Sequence, residues 1–153
     1  MKEIYDIILK IRHFCTCNES KITSSCHIGL AEFKGINAME NNKKITCTEL
    51  SERMNLSPSR GSRIIDNLVK KGYLLRKVKD YDRRITLLYL TEKGEKIKDE
   101  INHEQRGFEQ KINSELSGQE VESIKIGLKT LEKFLVYNKK GDKDVRKNIS
   151  RSQ

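Results

Sequence analysis

Residues 46–73 read TCTELSERMNLSPSRGSRIIDNLVKKGY, and this stretch predicts two short helices joined by a tight turn. Thr46, with a glutamate three residues later, forms a capping box that starts the first helix. Ser57 and Pro58 predict the start of the second helix, because Ser caps helices and Pro suits the first helical position. Cations followed by glycine at residues 70–72 are typical of a helix end. The stretch therefore predicts a helix-turn-helix motif.

The hydrophobic period changes after this motif. Two short, mainly apolar segments follow, at residues 73–78 and 85–90, and the charged residues 79–84 separate them. This pattern predicts a β-hairpin. Thr91 then caps a long polar helix that is expected to run to about Asn113. A helix-turn-helix motif followed directly by a hairpin predicts a winged helix-turn-helix fold.

Helical periodicity also flanks the motif on both sides. Apolar residues from Ile4 to Phe14 share one predicted helix face, whereas the polar residues 15–25 are expected to form a loop. Residues 30–39 predict a further helix. Behind a capping box at Ser117, apolar residues from Val121 to Leu135 recur every three or four positions, which is typical of a helix–helix seam. The predicted fold class is mainly α with a small β-hairpin wing and with N- and C-terminal dimerisation helices.

Composition favours a helical protein with a polyanionic partner. The 153 residues are 35% apolar and 35% charged, and the formal net charge is +9. This excess favours nucleic acid, although it also fits a merely soluble basic protein. No apolar run approaches the ~20 residues that span a bilayer, and Glu3 and Asp6 interrupt the N-terminal stretch that a signal peptide would need. We therefore expect a cytoplasmic protein with no membrane partner, whose cysteines are thiols or metal ligands.

The start of the second helix carries the first candidate nucleic-acid contacts. A helix fits the major groove of DNA, and its N-terminal part meets the base edges. Here that part holds small hydroxyls and two arginines and lacks carboxylates. Arg can bind guanine through two hydrogen bonds, and Ser can meet bases or phosphates. The candidate residues are Ser57, Ser59, Arg60, Ser62 and Arg63.

The predicted hairpin concentrates positive charge near its tip. A basic tip can enter a narrow minor groove, although solvated basic turns are common. The position of the hairpin directly after the helix-turn-helix motif favours the nucleic-acid contact. The basic residues are Lys77, Lys79, Arg83 and Arg84.

From Leu30 to Gly94 the sequence resembles the MarR family of bacterial and archaeal regulators. The Asp-Arg-Arg and Leu-Thr-Glu-Lys-Gly blocks are the most specific part of the likeness, and the flanking helices match in length and order only. The matching blocks are Thr-x-x-Glu-Leu-Ser at 46–51, Leu-Ser-Pro-Ser at 56–59, Ile64, Leu68, Lys-Gly-Tyr at 71–73, Asp-Arg-Arg at 82–84 and Leu-Thr-Glu-Lys-Gly at 90–94.

The resemblance implies a homodimeric transcription regulator, a repressor, that binds a pseudo-palindromic site in double-stranded DNA. In the wing, Arg84 would reach into the minor groove and Asp82 would hold the turn by pairing with arginine. The residues facing the major groove would be Ser59, Arg60, Ser62 and Arg63. The expected segments are an N-terminal dimerisation helix with a cysteine-containing loop at 1–29, a DNA-binding domain at 30–95, C-terminal dimerisation helices at 96–138 and a flexible basic tail at 139–153.

Gly61 departs from the family pattern, in which an apolar or β-branched residue is usual at this point of the helix. Gly costs ~1 kcal/mol relative to Ala in a helix interior. Two interpretations stay open, namely a close approach of the backbone to DNA and a locally weakened helix.

Three cysteines and a histidine lie close together in the sequence. Cys15, Cys17, Cys26 and His27 form a candidate metal site, for zinc or an iron–sulfur cluster. Cys15 and Cys17 could share a metal only if the helix ends near Phe14, because residues two apart on a helix face nearly opposite directions. The spacing matches no standard zinc-finger pattern.

Two alternatives to a metal site stay open, a thiol redox switch and cysteines with no sensing role. Members of the resembled family respond to small phenolic compounds, oxidants or metals, so a small-molecule or metal effector is expected. Cys47 stands at a predicted helix start, where thiols become more reactive, or it simply fills a position that suits a small residue.

Two rival functions are a winged-helix adaptor that binds proteins without DNA, and an enzyme. The basic wing and the carboxylate-poor helix start argue against the adaptor. The sequence contains no glycine-rich phosphate loop, no metalloprotease motif and no convincing Ser-His-Asp arrangement, so we expect no enzymatic activity.

Overall fold

The computed structural model describes residues 3–79 and 82–149, and at residues 79, 82–85 and 137–149 it describes the backbone alone. Over these residues the chain is mainly helical with one small sheet. The elements are α1 (Glu3–Ser25), α2 (Leu30–Asn37), β1 (Ile45–Thr46), α3 (Cys47–Arg53), α4 (Pro58–Lys70), β2 (Leu74–Lys79), β3 (Asp82–Leu90), α5 (Glu92–Glu115) and α6 (Gly118–Ile149).

The chain divides into two compact regions, Met1–Gln105 and Arg106–Gln153, and the division falls inside α5. The first region contains the helix-turn-helix motif, the sheet and a contiguous hydrophobic core. Its most deeply buried side chains come from α2, α3, α4, β2, β3 and α5, so the core ties both helices of the motif to the hairpin. These side chains include Ile36, Leu50, Ile65, Leu68, Leu74, Leu88 and Ile101.

The sheet has three antiparallel strands in the order β1-β3-β2. The register pairs Leu74 with Leu90 and Arg76 with Leu88, while Ile45 of β1 pairs with Leu88 from the other side. The two-residue strand β1 was not predicted, because so short a segment has no period of its own. The hairpin prediction is confirmed, and with it the predicted winged helix-turn-helix fold class.

The loop predicted at residues 15–25 is wrong, because α1 continues without a break to Ser25. The polar side chains bond back to their own helix: Thr16 Oγ1 donates to Arg12 O at 3.0 Å, and Ser20 Oγ donates to Thr16 O at 3.0 Å. Hydroxyls satisfied in this way are compatible with a helix, although Ser and Thr more often favour turns. Ile22 is buried in the core and anchors the last turns.

A Schellman-type cap ends α1. Ile28 N donates to Thr23 O at 3.0 Å and His27 N donates to Ser24 O at 3.3 Å. His27 takes the left-handed conformation with φ of 54°, a place that glycine usually occupies. Ile22 and Ile28 on either side of the cap belong to the hydrophobic core. The helix therefore ends at Ser25, eleven residues beyond the predicted end near Phe14, where Ile22 and Ile28 pack into the core.

The strands and the last helix both extend beyond their predicted limits. Strand β2 reaches Lys79 and β3 begins at Asp82, with a register irregularity between Val78 and Lys79. The charged turn is therefore shorter than predicted, and residues 80 and 81 lie outside the described residues. The backbone of α6 is helical to Ile149, whereas a flexible tail was expected from residue 139. Residues 150–153 lie outside the described part of the chain.

Within the described residues, no helix is both long enough and apolar enough to cross a lipid bilayer.

Candidate nucleic-acid interface

The first helix of the motif begins as predicted. Thr46 caps α3, and Glu49 completes a capping box: Thr46 N donates to Glu49 Oε2 at 2.8 Å, and Glu49 N donates to Thr46 Oγ1 at 3.2 Å. These bonds satisfy backbone groups that the helix start would otherwise leave unpaired. The hydrogen bonds given to its carboxylate by Thr46 lower the pKa of Glu49 and keep it ionised.

Gly61 allows α4 to pack directly against α3. A Cβ atom placed at Gly61 would lie 2.0 Å from Ser51 Oγ and 2.5 Å from Ser51 Cβ. The hydroxyl of Ser51 is itself engaged, donating to Cys47 O at 2.8 Å. Gly61 is buried in the interior of the motif, so it neither faces DNA nor merely weakens the helix. The structure thus replaces both sequence-based interpretations with helix–helix packing.

The second helix exposes the predicted contact residues on one side. Gly61, Ile65 and Leu68 are buried on the opposite side, which fixes the rotation of α4 about its axis. Ser57 has the extended backbone of an N-cap, but its hydroxyl lies 3.3 Å from Ser59 Oγ and makes no cap bond to the backbone. The exposed residues are Ser57, Ser59, Arg60, Ser62 and Arg63.

A salt bridge that the sequence analysis missed joins this helix to the hairpin. Arg76 Nη2 of β2 donates to Asp66 Oδ1 of α4 at 2.6 Å. Because both side chains are partly exposed, the pair contributes little stability. The pair instead helps to fix the position of the hairpin relative to α4. The two residues have opposite charge and flank a helix end, but nothing in their spacing identifies them as partners.

The wing is only partly described at its tip. Lys77 is exposed, and its Nζ lies 5.6 Å from the centre of the Tyr89 ring, which orients the ammonium group. Lys79 lies opposite Asp82 at the end of the hairpin. The side chains of Lys79, Asp82, Arg83 and Arg84 lie outside the described residues, and the roles predicted for them stay predictions.

The Leu-Thr-Glu-Lys-Gly block joins the start of α5 to the segment that follows α4. Thr91 Oγ1 donates to Gly72 O at 2.6 Å and accepts from Gly94 N at 3.1 Å. A Cβ atom at Gly94 would lie 2.1 Å from Tyr73 O, so glycine is needed for the close approach. Lys93 Nζ donates to Lys71 O at 2.9 Å. This block is therefore a structural joint at the C-terminal end of α4.

The candidate metal ligands are not brought together. Cys15 and Cys17 are exposed on a continuous helix, so their side chains point in nearly opposite directions. Cys17 Sγ instead lies 3.7 Å from His13 Nε2, and the exposed ring of His27 donates from Nδ1 to Ser25 O at 3.0 Å. Among the residues that the structure describes, no group of three or more His, Cys, Asp or Glu could hold a metal ion. The donors of one chain therefore do not fit zinc or an iron–sulfur cluster.

Cys26 is a buried thiol. It follows the last residue of α1, and only 6% of its surface is exposed. Burial raises the pKa of the Cys26 thiol, and the neighbouring carboxylates of Glu100 and Glu104 raise it further. A neutral thiol that donates to a carboxylate is a poor nucleophile and a poor metal ligand. Cys26 serves the core of the first compact region.

A helix-turn-helix motif with a basic hairpin behind it defines a winged helix-turn-helix protein. A sequence profile of the MarR family matches residues 28–86. The transcriptional repressor MprA of Escherichia coli (strain K12) is 31% identical over 109 residues, which make up 70% of this chain and 62% of MprA. The chain thus matches less than two thirds of the length of this relative.

Solved structures share the same fold. FabT of Streptococcus pneumoniae, crystallised in complex with DNA, aligns over 88% of this chain and 96% of its own, with a TM-score of 0.79 and 24% identity. A MarR-like transcription regulator from Bacillus cereus ATCC 10987 aligns over the same fractions with a TM-score of 0.68 and 25% identity. The profile match and the identity to MprA assign residues 28–86 to the MarR family, and the solved structures show that the chain shares the fold.

Proposed function

We propose that the protein is a transcription regulator, a repressor, that binds double-stranded DNA as a homodimer. The observation that carries this proposal is the exposed start of α4, where two arginines stand among small hydroxyls and no carboxylate precedes Asp66. The buried face of the same helix is held by close packing, so this start is presented on a rigid element. Its relative MprA is a transcriptional repressor, and FabT, which shares the fold, was solved with DNA.

In the proposed complex, α4 enters the major groove. Arg60 and Arg63 are one helical turn apart, and each can bind a guanine edge through two hydrogen bonds. The hydroxyls of Ser57, Ser59 and Ser62 are small enough to allow the helix close to the bases or phosphates. The sequence from Arg53 to Ile65 contains no acidic residue that would oppose the phosphates, and the positive end of the helix dipole favours them.

The wing is proposed to supply the second contact. Lys77, Lys79 and Arg83 add positive charge near the phosphates, and Arg84 enters the minor groove. Asp82 would hold the turn that carries Arg84, by pairing with an arginine. Non-specific affinity would come from this charge, whereas sequence preference would come from α4.

A second copy of the chain is proposed to cover exposed apolar surface in each compact region. In α1, Ile4 is 73% exposed and Ile7 and Ile11 are also exposed; in α6, Phe134 is 61% exposed and lies on the same helix as Leu128 and Leu135. Apolar residues repeated along a helix at this exposure are typical of a helix–helix interface between chains. A two-fold dimer would present two copies of α4 about one DNA turn apart, to a pseudo-palindromic site.

For the signal that controls DNA affinity, the exposed thiols of Cys15 and Cys17 are better candidates than a metal site. Both lie on α1, which we propose as a dimerisation helix, so oxidation there would act on the interface. Thiols that react with oxidants in solution must be accessible, which Cys26 is not. The protein would work in the cytoplasm, without enzymatic activity.

The test is selection of duplexes from a random-sequence library, followed by titration of the selected duplex at several salt concentrations. A DNA-binding regulator should enrich a pseudo-palindrome, and log K should fall with log salt by ~0.9 for each phosphate contacted. An adaptor that binds only proteins would enrich no sequence and would show a flat salt dependence.

A further inference from the structure

Glu32 is a buried carboxylate with no part in the contacts proposed so far. It lies in the first turn of α2 with only 5% of its surface exposed. Its Oε2 accepts from Gly29 N at 3.0 Å, and its Oε1 accepts from Asn67 Nδ2 at 3.3 Å and forms an ion pair with Lys71 Nζ. Both oxygens are therefore used, by three donors from two separate parts of the chain.

Stability alone does not account for this arrangement. Burying a carboxylate is costly, and an apolar group of similar size at such a site is often as stable or more stable. Burial raises the pKa of Glu32, but the bonds from Lys71, Gly29 and Asn67 outweigh that effect and hold the pKa below its ordinary value. Unlike an apolar side chain, an ionised carboxylate forms directional hydrogen bonds, and these bonds fix the positions of its donors.

Two of these donors belong to the C-terminal end of α4. Asn67 lies in its last turn and Lys71 is its C-cap residue, so they stand one turn apart on the same side of the helix. The proposed base contacts, Arg60 and Arg63, stand at the other end. A 13-residue helix is about 20 Å long, so a tilt of about 10° about its C-terminal end moves the start by about 3 Å. A shift of that size breaks hydrogen bonds to bases.

The third donor belongs to the junction between α1 and α2. Gly29 follows the cap that ends α1 at His27 and Ile28. Gly29 is the N-cap of α2, and its bond to Glu32 closes the capping box of that helix. One carboxylate therefore caps the start of α2, four residues after the last residue of α1, and bonds to the end of α4 at the same time. The end of α4 is also bonded to α5, because Lys93 Nζ donates to Lys71 O at 2.9 Å.

We propose that Glu32 is a positioning residue for DNA recognition, whose carboxylate sets the orientation of α4 by coupling its C-terminal end to the start of α2. The proposal rests on the DNA-binding function proposed above. It predicts that Glu32 acts on the preference for one sequence over another, and not on the general attraction of the basic surface to DNA.

The experiment measures two affinities for each variant, for the duplex that the wild-type protein selects from a random library and for a scrambled duplex of the same composition. The ratio is the affinity for the selected duplex divided by the affinity for the scrambled duplex. For Glu32→Gln we expect this ratio to fall about five- to tenfold, while the affinity for the scrambled duplex stays within about twofold of the wild type. Measurements are made well below the Tm of every variant, so that a loss of stability does not affect the ratio.

Glu40→Gln is the matched control. Glu40 is a partly exposed carboxylate in the same compact region that pairs with Lys43 and Arg53 and makes no described contact with α4. Its removal changes the net charge by the same amount and should leave the ratio as in the wild type. Lys71→Gln, at a half-exposed position, removes the ionic partner with less risk to folding and should lower the ratio as Glu32→Gln does. The double variant should be no worse than either single one, because both break one connection.

A ratio that stays within about twofold of the wild type in Glu32→Gln and in Lys71→Gln would overturn the proposal, whatever happens to Tm. A wild-type protein that enriches no duplex would instead overturn the DNA-binding function, and the positioning role with it.

Discussion

Replacing Gly61 by Ala tests whether close packing of α3 on α4 requires glycine at this position. The added Cβ would lie 2.5 Å from Ser51 Cβ and 3.1 Å from Ser51 Cα, so rotating the Ser51 hydroxyl away does not relieve the clash. The two helices would have to separate by several tenths of an ångström or more, because carbon atoms pack at about 3.5–4.0 Å.

The expected change in the free energy of unfolding follows from three effects. Overpacking costs about 1–3 kcal/mol, and disturbing the bond from Ser51 Oγ to Cys47 O costs about 1 kcal/mol. The better helix propensity of Ala recovers about 1 kcal/mol. We therefore expect Gly61→Ala to destabilise the protein by about 1–3 kcal/mol.

Urea unfolding followed by circular dichroism measures this change, with the midpoint expected to fall at an unchanged m-value. Gly107→Ala is the matched control, because a Cβ at this helical glycine meets nothing within 4 Å and should stabilise by up to about 1 kcal/mol. The double variant Ser51→Gly with Gly61→Ala moves the side chain to the other helix and should recover part of the loss. If Gly61→Ala proves neutral or stabilising, the packing argument fails and the weakened-helix interpretation is correct.

Three further predictions concern the proposed function. Arg84→Ala should weaken binding to the selected duplex about ten- to hundredfold at unchanged Tm, whereas Arg106→Ala, which removes the same charge from α5, should not; equal effects would remove Arg84 from the interface. In sedimentation at micromolar concentration, Leu128→Glu should convert the dimer into monomers, while Thr130→Glu, which adds the same charge on another side of α6, should not. A wild-type protein that sediments as a monomer would refute the dimer. Peroxide should weaken DNA binding of the wild type by at least about fivefold, and combined Cys15→Ser and Cys17→Ser should abolish this response; an unchanged response would assign the signal elsewhere.

Local patterns predicted a large part of the fold and of the site. The capping box at Thr46, the glycine at Gly72 with its φ of 77°, and the second capping box at Ser117 are where the sequence places them. Each depends on groups within three or four residues of one another, so each can be recognised without knowledge of the rest of the chain. The exposure of the candidate contact residues of α4 was predictable for the same reason, because helical period alone separates them from the buried Ile65 and Leu68.

Long-range packing decided what the sequence left open or misassigned. Helix α1 continues through a polar stretch because Ile22 and Ile28 bury in a core supplied by other elements, and His27 accepts a conformation that its own preference disfavours. Gly61 is needed because the Ser51 side chain of another helix packs against it. Glu32 pairs with Lys71, which is 39 residues away in the sequence. No local signal identifies such partners, because they meet only when the helices pack. The sequence by itself therefore determines which residues are the candidates for contact with DNA, and the tertiary structure determines how the helix that carries them is held.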